Sequence, residues 1–405
     1  MNIGIITQWF ASGAGHVSRS YAEVLSKSHS VFIYARGGQT QRGDPVWDGA
    51  EVTWAPHHPC LTGIYERHFT RWVKRHGIDA VLFNEQRHWA GVVLAKYLNL
   101  LTGAYVDYYT QNTRPFFNLY DFLICNTRRH YDVFRDHPQC CYVPWGVRTE
   151  LNKPAERRHE GPLRFLVSAG FGGRKGALDR RGSGMAMRVF RRIRGNCRLI
   201  VYSQVPLIDC REDWQEAVRE DDRIEFREGT YDPFPYTAGD VYVYPSRLDG
   251  IGLTLPEALS SGLPAIATDC APMNEFVRNE QNGLLVKVKS YLGRPDGYYW
   301  PESICDEGAL YDAFRYYVEH QDVVILHGGN ARAIAEKELA WGNNAAHVGD
   351  WLPLQIKRVA ACDTSFMDLA TLACLHDRQA DPTPLQTVIR GFKALVNEVI
   401  LKTKE

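Results

Sequence analysis

No stretch of this chain has the length and apolarity of a membrane span, and its start, Met1-Asn2-Ile3-Gly4-Ile5-Ile6, lacks the basic residues and apolar core of a secretion signal. Charge of one sign is also missing. Lysine plus arginine number 47 and aspartate plus glutamate 47, so there is no basic surplus of the kind nucleic acid demands, and no nucleic-acid partner is expected. The 10 cysteines form no C-x-x-C pair; Cys140 and Cys141 are adjacent and the rest are scattered, mostly among apolar neighbours. Neither a zinc site nor a disulfide framework follows from that pattern. A complete G-x-G-x-x-G is absent as well: Gly13-Ala14-Gly15-His16 follows an apolar strand and opens a helix, but no acid stands at ribose distance beyond it. These absences leave a soluble cytoplasmic enzyme as the expectation, and 405 residues suffice for two domains with full cores.

What is present is an alternation of strands and helices. Short apolar runs at Ile3 to Thr7, Val31 to Tyr34, Val81 to Asn84, Ala104 to Val106 and Phe122 to Cys125, with helix-like stretches between, argue for a parallel doubly wound sheet. The stretch Arg148 to Pro162 is charged, contains proline and has no hydrophobic period, which marks it as a linker. A second alternating set follows at Leu163 to Val167, Cys197 to Tyr202 and Ile224 to Phe226. The expected organisation is residues 1–150, residues 160–345 and a helical tail over 346–405. Within the tail, Thr383-Pro384-Leu385-Gln386 reads as a helix start followed by an apolar stripe from Leu385 to Ile400.

The most informative segment runs from Pro245 to Glu275. Asp240 to Tyr244 reads as a buried strand stopped by Pro245. Asp249-Gly250-Ile251-Gly252 then supplies two glycines, and Thr254-Leu255-Pro256-Glu257 reads as a helix start with Thr254 as N-cap and Glu257 at its third position. The helix is expected to end at Gly262. Strand, glycine loop and helix N-terminus in series favour an anion, because unpaired amides and the helix dipole both attract negative charge. Taken alone, Glu257 is also readable as only the acid of a capping box, and Asp249 as only a loop residue.

This segment resembles the donor-site signature of retaining GT-B glycosyltransferases of the family 4 type, where Glu-Gly-Phe-Gly is followed by Leu-Glu-Ala; Asp249 stands where the family usually has Glu. The resemblance implies a GT-B fold: α/β, with two Rossmann-like doubly wound domains facing a cleft and a C-terminal helix crossing back to the first. It implies a sugar moved from a nucleoside-diphosphate donor to a hydroxyl acceptor, with no metal cofactor. It assigns Asp249 to the donor sugar, Gly250, Ile251, Gly252 and Leu253 to sugar and phosphate, and Glu257 to the ribose diol. In the loop Gly170 to Gly182 it points to Arg174 and Arg181 as diphosphate cations, with Lys175 competing for the first place; a solvated basic loop is the alternative. Gly15 would lie near the sugar, phosphate or acceptor, or serve only a tight turn. Asp107, His16 and His88 are candidates for donor-sugar or acceptor contact, and Arg227 to Tyr231 for the base. The family implies no protein nucleophile.

A basic helix at Tyr65 to His76 carries Phe69, Trp72 and Val73 on one face. That face could meet an anionic membrane bearing a lipid-linked acceptor, or pack on its own sheet, which is the expectation. A sugar-nucleotide epimerase and a non-catalytic sugar-nucleotide binder are the alternative functions.

Overall fold

A computed structural model describes residues 1–37, 41–152, 154, 161–350, 358 and 364–380. They form two compact units: Met1–Asn126 with His130–Val143 and the chain from Ala345 on, and Pro144–Asn344 with Thr127–Arg129. The division at Pro144 has a physical cause. Val147 donates to Leu339 O at 2.7 Å and accepts from Trp341 N at 3.0 Å, a side chain on Gly146 would stand 2.6 Å from Leu339 O, and Trp145 lies 4.7 Å from Trp341. The segment after Pro144 is thereby sewn to the end of its own unit, and Arg332 adds bonds to the carbonyls of Thr149 and Asn152.

In the first unit the strands are β1 (Asn2–Gln8), β2 (Ser30–Arg36), β3 (Val52–Trp54), β4 (Ala80–Asn84), β5 (Leu101–Tyr105), β6 (Phe122–Cys125) and β7 (Cys140–Tyr142). They lie in the order β3-β2-β1-β4-β5-β6-β7, all parallel. Its helices are α1 (Gly13–Leu25), α2 (Glu66–His76), α3 (Ala90–Tyr97) and α4 (Arg128–Phe134), the last beginning in residues that cluster with the second unit. The apolar face of α2 is buried: Phe69, Trp72 and Val73 retain at most 7% exposure. Gly4 on β1 makes this possible, since a Cβ there would lie 2.4 Å from the Trp72 ring. That face is therefore spent on the sheet and cannot also enter a lipid surface, while Arg67, Arg71, Lys74 and Arg75 are exposed.

The second unit repeats the order. Strands β8 (Leu163–Gly170), β9 (Cys197–Ser203), β10 (Ile224–Glu228), β11 (Val241–Tyr244), β12 (Ala265–Thr268) and β13 (Gly283–Val286) lie as β10-β9-β8-β11-β12-β13, again parallel. A hairpin of β14 (Val288–Leu292) and β15 (Glu302–Cys305) follows. Its helices are α5 (Ser183–Phe190), α6 (Glu212–Glu220), α7 (Thr254–Ser260), α8 (Met273–Phe276), α9 (Glu307–Glu319), α10 (Gln321–Glu338) and α11 (Trp341–Asn344). The core joins β8, β9 and β11 to α5, α6 and α9 through Phe165, Phe190, Trp214 and Phe314. In both sheets the strand order reverses beside the first strand, between β1 and β4 and between β8 and β11. Such a switch point leaves a crevice at the strand carboxyl ends where ligands of open α/β sheets bind.

A further helix, α12 (Thr364–Ala380), belongs to the first unit and touches α3 and the turn Arg114–Leu119. The apolar stripe beginning at Thr383 lies outside the described residues. Among the described residues no helix is long and apolar enough to cross a membrane.

Candidate functional site

At the switch point of the second unit, two loops meet. One follows β8 and runs from Phe171 to Gly182; the other follows β11 and runs from Pro245 to Leu253. They are fastened to each other by Arg180 O, which accepts from Arg247 N at 2.8 Å and from Ser246 Oγ at 3.3 Å. Gly182 allows this approach. Its φ is 70°, and a Cβ there would sit 2.2 Å from Pro245 O, so both conformation and space demand glycine. Asp179 then accepts from the amides of Ser183 and Gly184 at 3.0 and 2.7 Å and starts α5.

This fastening brings Arg181 back over the strand ends. Its Nη1 donates to Ser168 O at 2.9 Å and Ser168 Oγ at 2.8 Å, and its charge is felt by Tyr244, Tyr242 and Asp249. Arg180 reaches the same carboxylate from the exposed side, with Nη2 at 4.0 Å from Asp249 Oδ2. Asp249 accepts from the Tyr244 hydroxyl at 2.5 Å and from its neighbour Gly250 N at 2.9 Å. Burial opposes its ionisation, but Arg180, Arg181 and those bonds outweigh burial and leave the carboxyl below the usual range.

The glycine loop forms a left-handed bend at Gly252, φ 82°, tucked against Tyr244. Ile251 is buried, and Leu253 rather than Thr254 is the cap of α7. Thr254 is the first helical residue, and its hydroxyl accepts from Tyr242 at 2.8 Å instead of capping the helix. The capping box expected of Thr254 and Glu257 is therefore not formed. Glu257 has another partner: the Tyr236 hydroxyl donates to its Oε2 at 2.6 Å. Burial, with Asp232 adding to it, pushes the Glu257 carboxyl up to about 7 against the pull of Tyr236 and Arg181. At its far end α7 closes as expected, with Gly262 at φ 75° beyond Ser261.

The second unit thus collects Asp249, Gly250, Ile251, Gly252, Leu253, Glu257 and Arg181 at one crevice. Arg174 and Lys175 lie on the exposed part of the same loop, whose backbone is pinned by Lys175 N to Asp209 O and by a bridge between Arg174 and Cys210. Of the stretch Arg227 to Tyr231, Arg227 donates to Tyr202 Oη at 2.5 Å and pairs with Glu225. Tyr231 is 41% exposed and stands edge-on to Tyr202, which also meets Phe234. Among the described residues no cluster of histidine, cysteine, aspartate and glutamate has the geometry to hold a metal.

The remaining candidates are in the first unit. Gly15 lies in the first turn of α1, where a Cβ would stand 2.0 Å from Phe10 O; close packing of the turn explains this glycine. His16 is half-buried with its ring 5.6 Å from Trp47. His88 Nδ1 lies 3.4 Å from Asp377 Oδ2 on α12, and Asp377 also accepts from Ala90 N at 2.7 Å. Asp107 is half-buried just after β5, beside Tyr108, whose face carries the Arg87 guanidinium at 3.6 Å. Arg180, Tyr236 and Tyr244 were not singled out from sequence. The one available signal was the alternation Tyr242-Val243-Tyr244 on a strand, which places both phenols on the same face.

Residues 169–292 match the family model of glycosyl transferases group 1. A 113-residue stretch is 34% identical to a lipopolysaccharide core biosynthesis mannosyltransferase of Rhizobium meliloti, covering 22% of this chain and 32% of that protein. Another of 72 residues is 33% identical to an uncharacterized glycosyltransferase of Haemophilus influenzae, covering 17% and 20%. The chain thus spans a third or less of the length of these curated relatives. Among solved structures, sucrose-phosphate synthase from Thermosynechococcus elongatus superimposes with a TM-score of 0.66 at 16% identity, over 87% of this chain and 98% of that one. Anabaena HepE in complex with UDP and glucose gives 0.66 at 15%, over 87% and 99%. WaaG, a glycosyltransferase involved in lipopolysaccharide biosynthesis, gives 0.59 at 17%, over 86% and 99%. The fold is GT-B.

Proposed function

We infer that this chain, whose segment 169–292 matches the family model of glycosyl transferases group 1 and whose fold is GT-B, is a retaining glycosyltransferase that moves a sugar from a nucleoside diphosphate to a hydroxyl acceptor. The observation that carries this reading is the convergence of Arg181, Asp249 and Glu257 at the β8/β11 switch point, inside the matched segment. Solved neighbours described as bound to UDP, UDP-glucose, or UDP with GlcNAc support a nucleotide-sugar donor.

The roles follow from charge and geometry. Glu257 offers Oε1, which has no partner among the described residues, and a carboxylate with two oxygens suits a ribose diol. The amides of Ile251, Gly252 and Leu253 and the start of α7 receive phosphate and sugar, while Gly250 N stays on Asp249 Oδ1. Asp249, kept ionised, accepts from hydroxyls of the transferred sugar. Arg181 and Arg180 neutralise the departing diphosphate, with Arg174 or Lys175 closing over it, so no metal is needed for this role. In the transfer, the bond from the anomeric carbon to the β-phosphate oxygen breaks, and a bond from the same carbon to the acceptor oxygen forms on the same face. The acceptor proton passes to the leaving phosphate oxygen, so no protein nucleophile is required. The relatives named for lipopolysaccharide synthesis support an acceptor that is a growing glycan, met from the cytoplasm in peripheral contact with a membrane through exposed basic residues rather than the buried face of α2.

A panel of UDP-, GDP-, ADP- and CMP-sugars, read by thermal shift and by release of free nucleotide, will identify the donor. With that donor, Asp249→Ala is expected to lose at least about a hundredfold in turnover and Glu257→Ala at least about a hundredfold in kcat/KM through a raised donor KM, each with an unchanged circular dichroism spectrum. Near wild-type kcat/KM in both variants overturns the site. Addition of EDTA is expected to leave the rate unchanged, and a new sugar nucleotide formed from the donor alone would indicate an epimerase instead.

A further inference from the structure

Beneath the two carboxylates lies a row of phenols that packing alone does not explain. Tyr242 and Tyr244 share a face of β11 with their rings stacked 5.8 Å apart, and Tyr236 stands edge-on to Tyr242 at 6.0 Å. All three are buried, with 3% exposure or less. Phenylalanine would fill nearly the same space, and a buried hydroxyl costs free energy unless it is bonded. Each hydroxyl is bonded, and each reaches the loop or helix that follows β11. Tyr242 donates to Thr254 Oγ1, Tyr244 to Asp249 Oδ2 and Tyr236 to Glu257 Oε2.

We propose that Tyr244 and Tyr236 are positioning residues, each fixing one oxygen of a carboxylate that the nucleotide-sugar must meet in a set orientation. The proposal rests on the donor-site reading above. For Asp249 the plane of the carboxylate is determined at two points, because Tyr244 holds Oδ2 while Gly250 N holds Oδ1. For Glu257 the longer side chain is anchored at Oε2 by Tyr236, which leaves Oε1 for a substrate hydroxyl. The tyrosines remain neutral donors over the working range, since burial and then the adjacent carboxylate hold both phenols well above their ordinary pKa. A short bond from a neutral phenol to a carboxylate is a charge-assisted one and restricts the acceptor more than packing would.

The two phenols serve different steps, so their loss has different kinetic signatures. Asp249 acts on the sugar that changes in the transition state; Tyr244→Phe is expected to lower kcat about 10- to 100-fold with donor KM within about threefold. Glu257 holds a part of the donor that does not react; Tyr236→Phe is expected to raise donor KM by about 5- to 20-fold with kcat nearly kept. Because the Tyr236 bond pulls the Glu257 carboxyl downward, its loss also moves the acid limb of kcat/KM to higher pH. Tyr242→Phe is the matched comparison: equally buried, it loses a bond to Thr254 at the start of α7 and none to a carboxylate, and is expected to lower the melting temperature and to change kcat and donor KM by no more than about threefold, with the pH limb unmoved.

The experiment measures nucleotide release from the best donor of the panel for the three variants alongside Asp249→Ala and Glu257→Ala, with melting curves to establish that each is folded. Kinetics and pH limb of Tyr244→Phe and Tyr236→Phe that coincide with those of Tyr242→Phe, while the two alanine variants are inactive, overturn the positioning role and leave the donor site standing. Activity retained in the alanine variants removes the donor site and this proposal together.

Discussion

The two sheets repeat one strand order, β3-β2-β1-β4 in the first unit and β10-β9-β8-β11 in the second, yet their switch points are furnished differently. Beside β1, the helix start is closed by Ser12 Oγ accepting from Gly15 N, and Asn84 at the end of β4 donates to Ala14 O and Ser18 Oγ. There the polar groups knit the loop to the sheet. Beside β8, Arg181, Arg180 and Asp249 stand together at the loop ends, and one oxygen of Glu257 is still without a partner among the described residues. Topology supplies a crevice twice, and side chains decide which crevice carries charge able to meet a ligand.

The sharpest break in that comparison is in stability. Lys96 and Asp121 form a 2.6 Å ion pair in the first unit with only 3% and 0% side-chain exposure. Lys96→Met removes the cation from a buried carboxylate that Thr102 still holds through its amide and hydroxyl, and is expected to cost about 3–5 kcal/mol in urea unfolding, while nucleotide release below the melting transition stays near that of the wild type. A hundredfold loss of release in the folded variant would place this pair in the chemistry.

Arg181→Ala tests the other side. It removes a preorganised cation from the leaving group and is expected to lower turnover about a hundredfold to a thousandfold, with a smaller effect on unfolding because Arg181 is hydrogen-bonded only at Nη1 among the described residues. A loss of tenfold or less would move the main diphosphate role to Arg174 or Lys175.

Glu257→Gln gives the smallest effect and the most diagnostic sign. The native carboxyl stands at about 7 against an ordinary 4.5. Between those values the unfolded chain releases its proton first, so this group withdraws stability as pH rises through that window. Glutamine has no proton to lose. Relative to wild type, the variant is therefore expected to gain about 1–3 kcal/mol in unfolding free energy between about pH 5 and about pH 8, while donor affinity falls. A stability difference that is flat with pH would show that Glu257 is not held protonated by its surroundings. The same ionisation makes wild-type donor affinity fall as pH drops below about 7.

Much of the fold was legible because burial on both faces of a parallel sheet leaves continuous apolar runs. Ile3 to Thr7, Phe122 to Cys125 and Cys197 to Tyr202 all lie within strands. Strands β3 and β7 have three half-buried residues each and carry no such run. Helix α12 falls within the expected helical tail, but its bounds were not legible because Asp377 and Phe366 acquire their partners from α3 and its surroundings. At the site, Asp249 and Glu257 were readable from a glycine loop followed by a helix start. The capping box was not, since Thr254 and Glu257 have buried phenols to bond to, and a hydroxyl that must be satisfied in the core outcompetes a cap exposed to water.

The sequence by itself determined where the strands run, where glycine must stand, and that acids and arginines recur around two loops, because these depend on local period and backbone sterics. Tertiary structure alone decided which arginine faces which acid and that Tyr236 and Tyr244 grip the two carboxylates. The partners in those bonds come from different elements, Tyr236 lying 21 residues from Glu257. Their meeting is set by the switch between β8 and β11, where a carbonyl of one loop accepts from the other and Gly182 lets them touch.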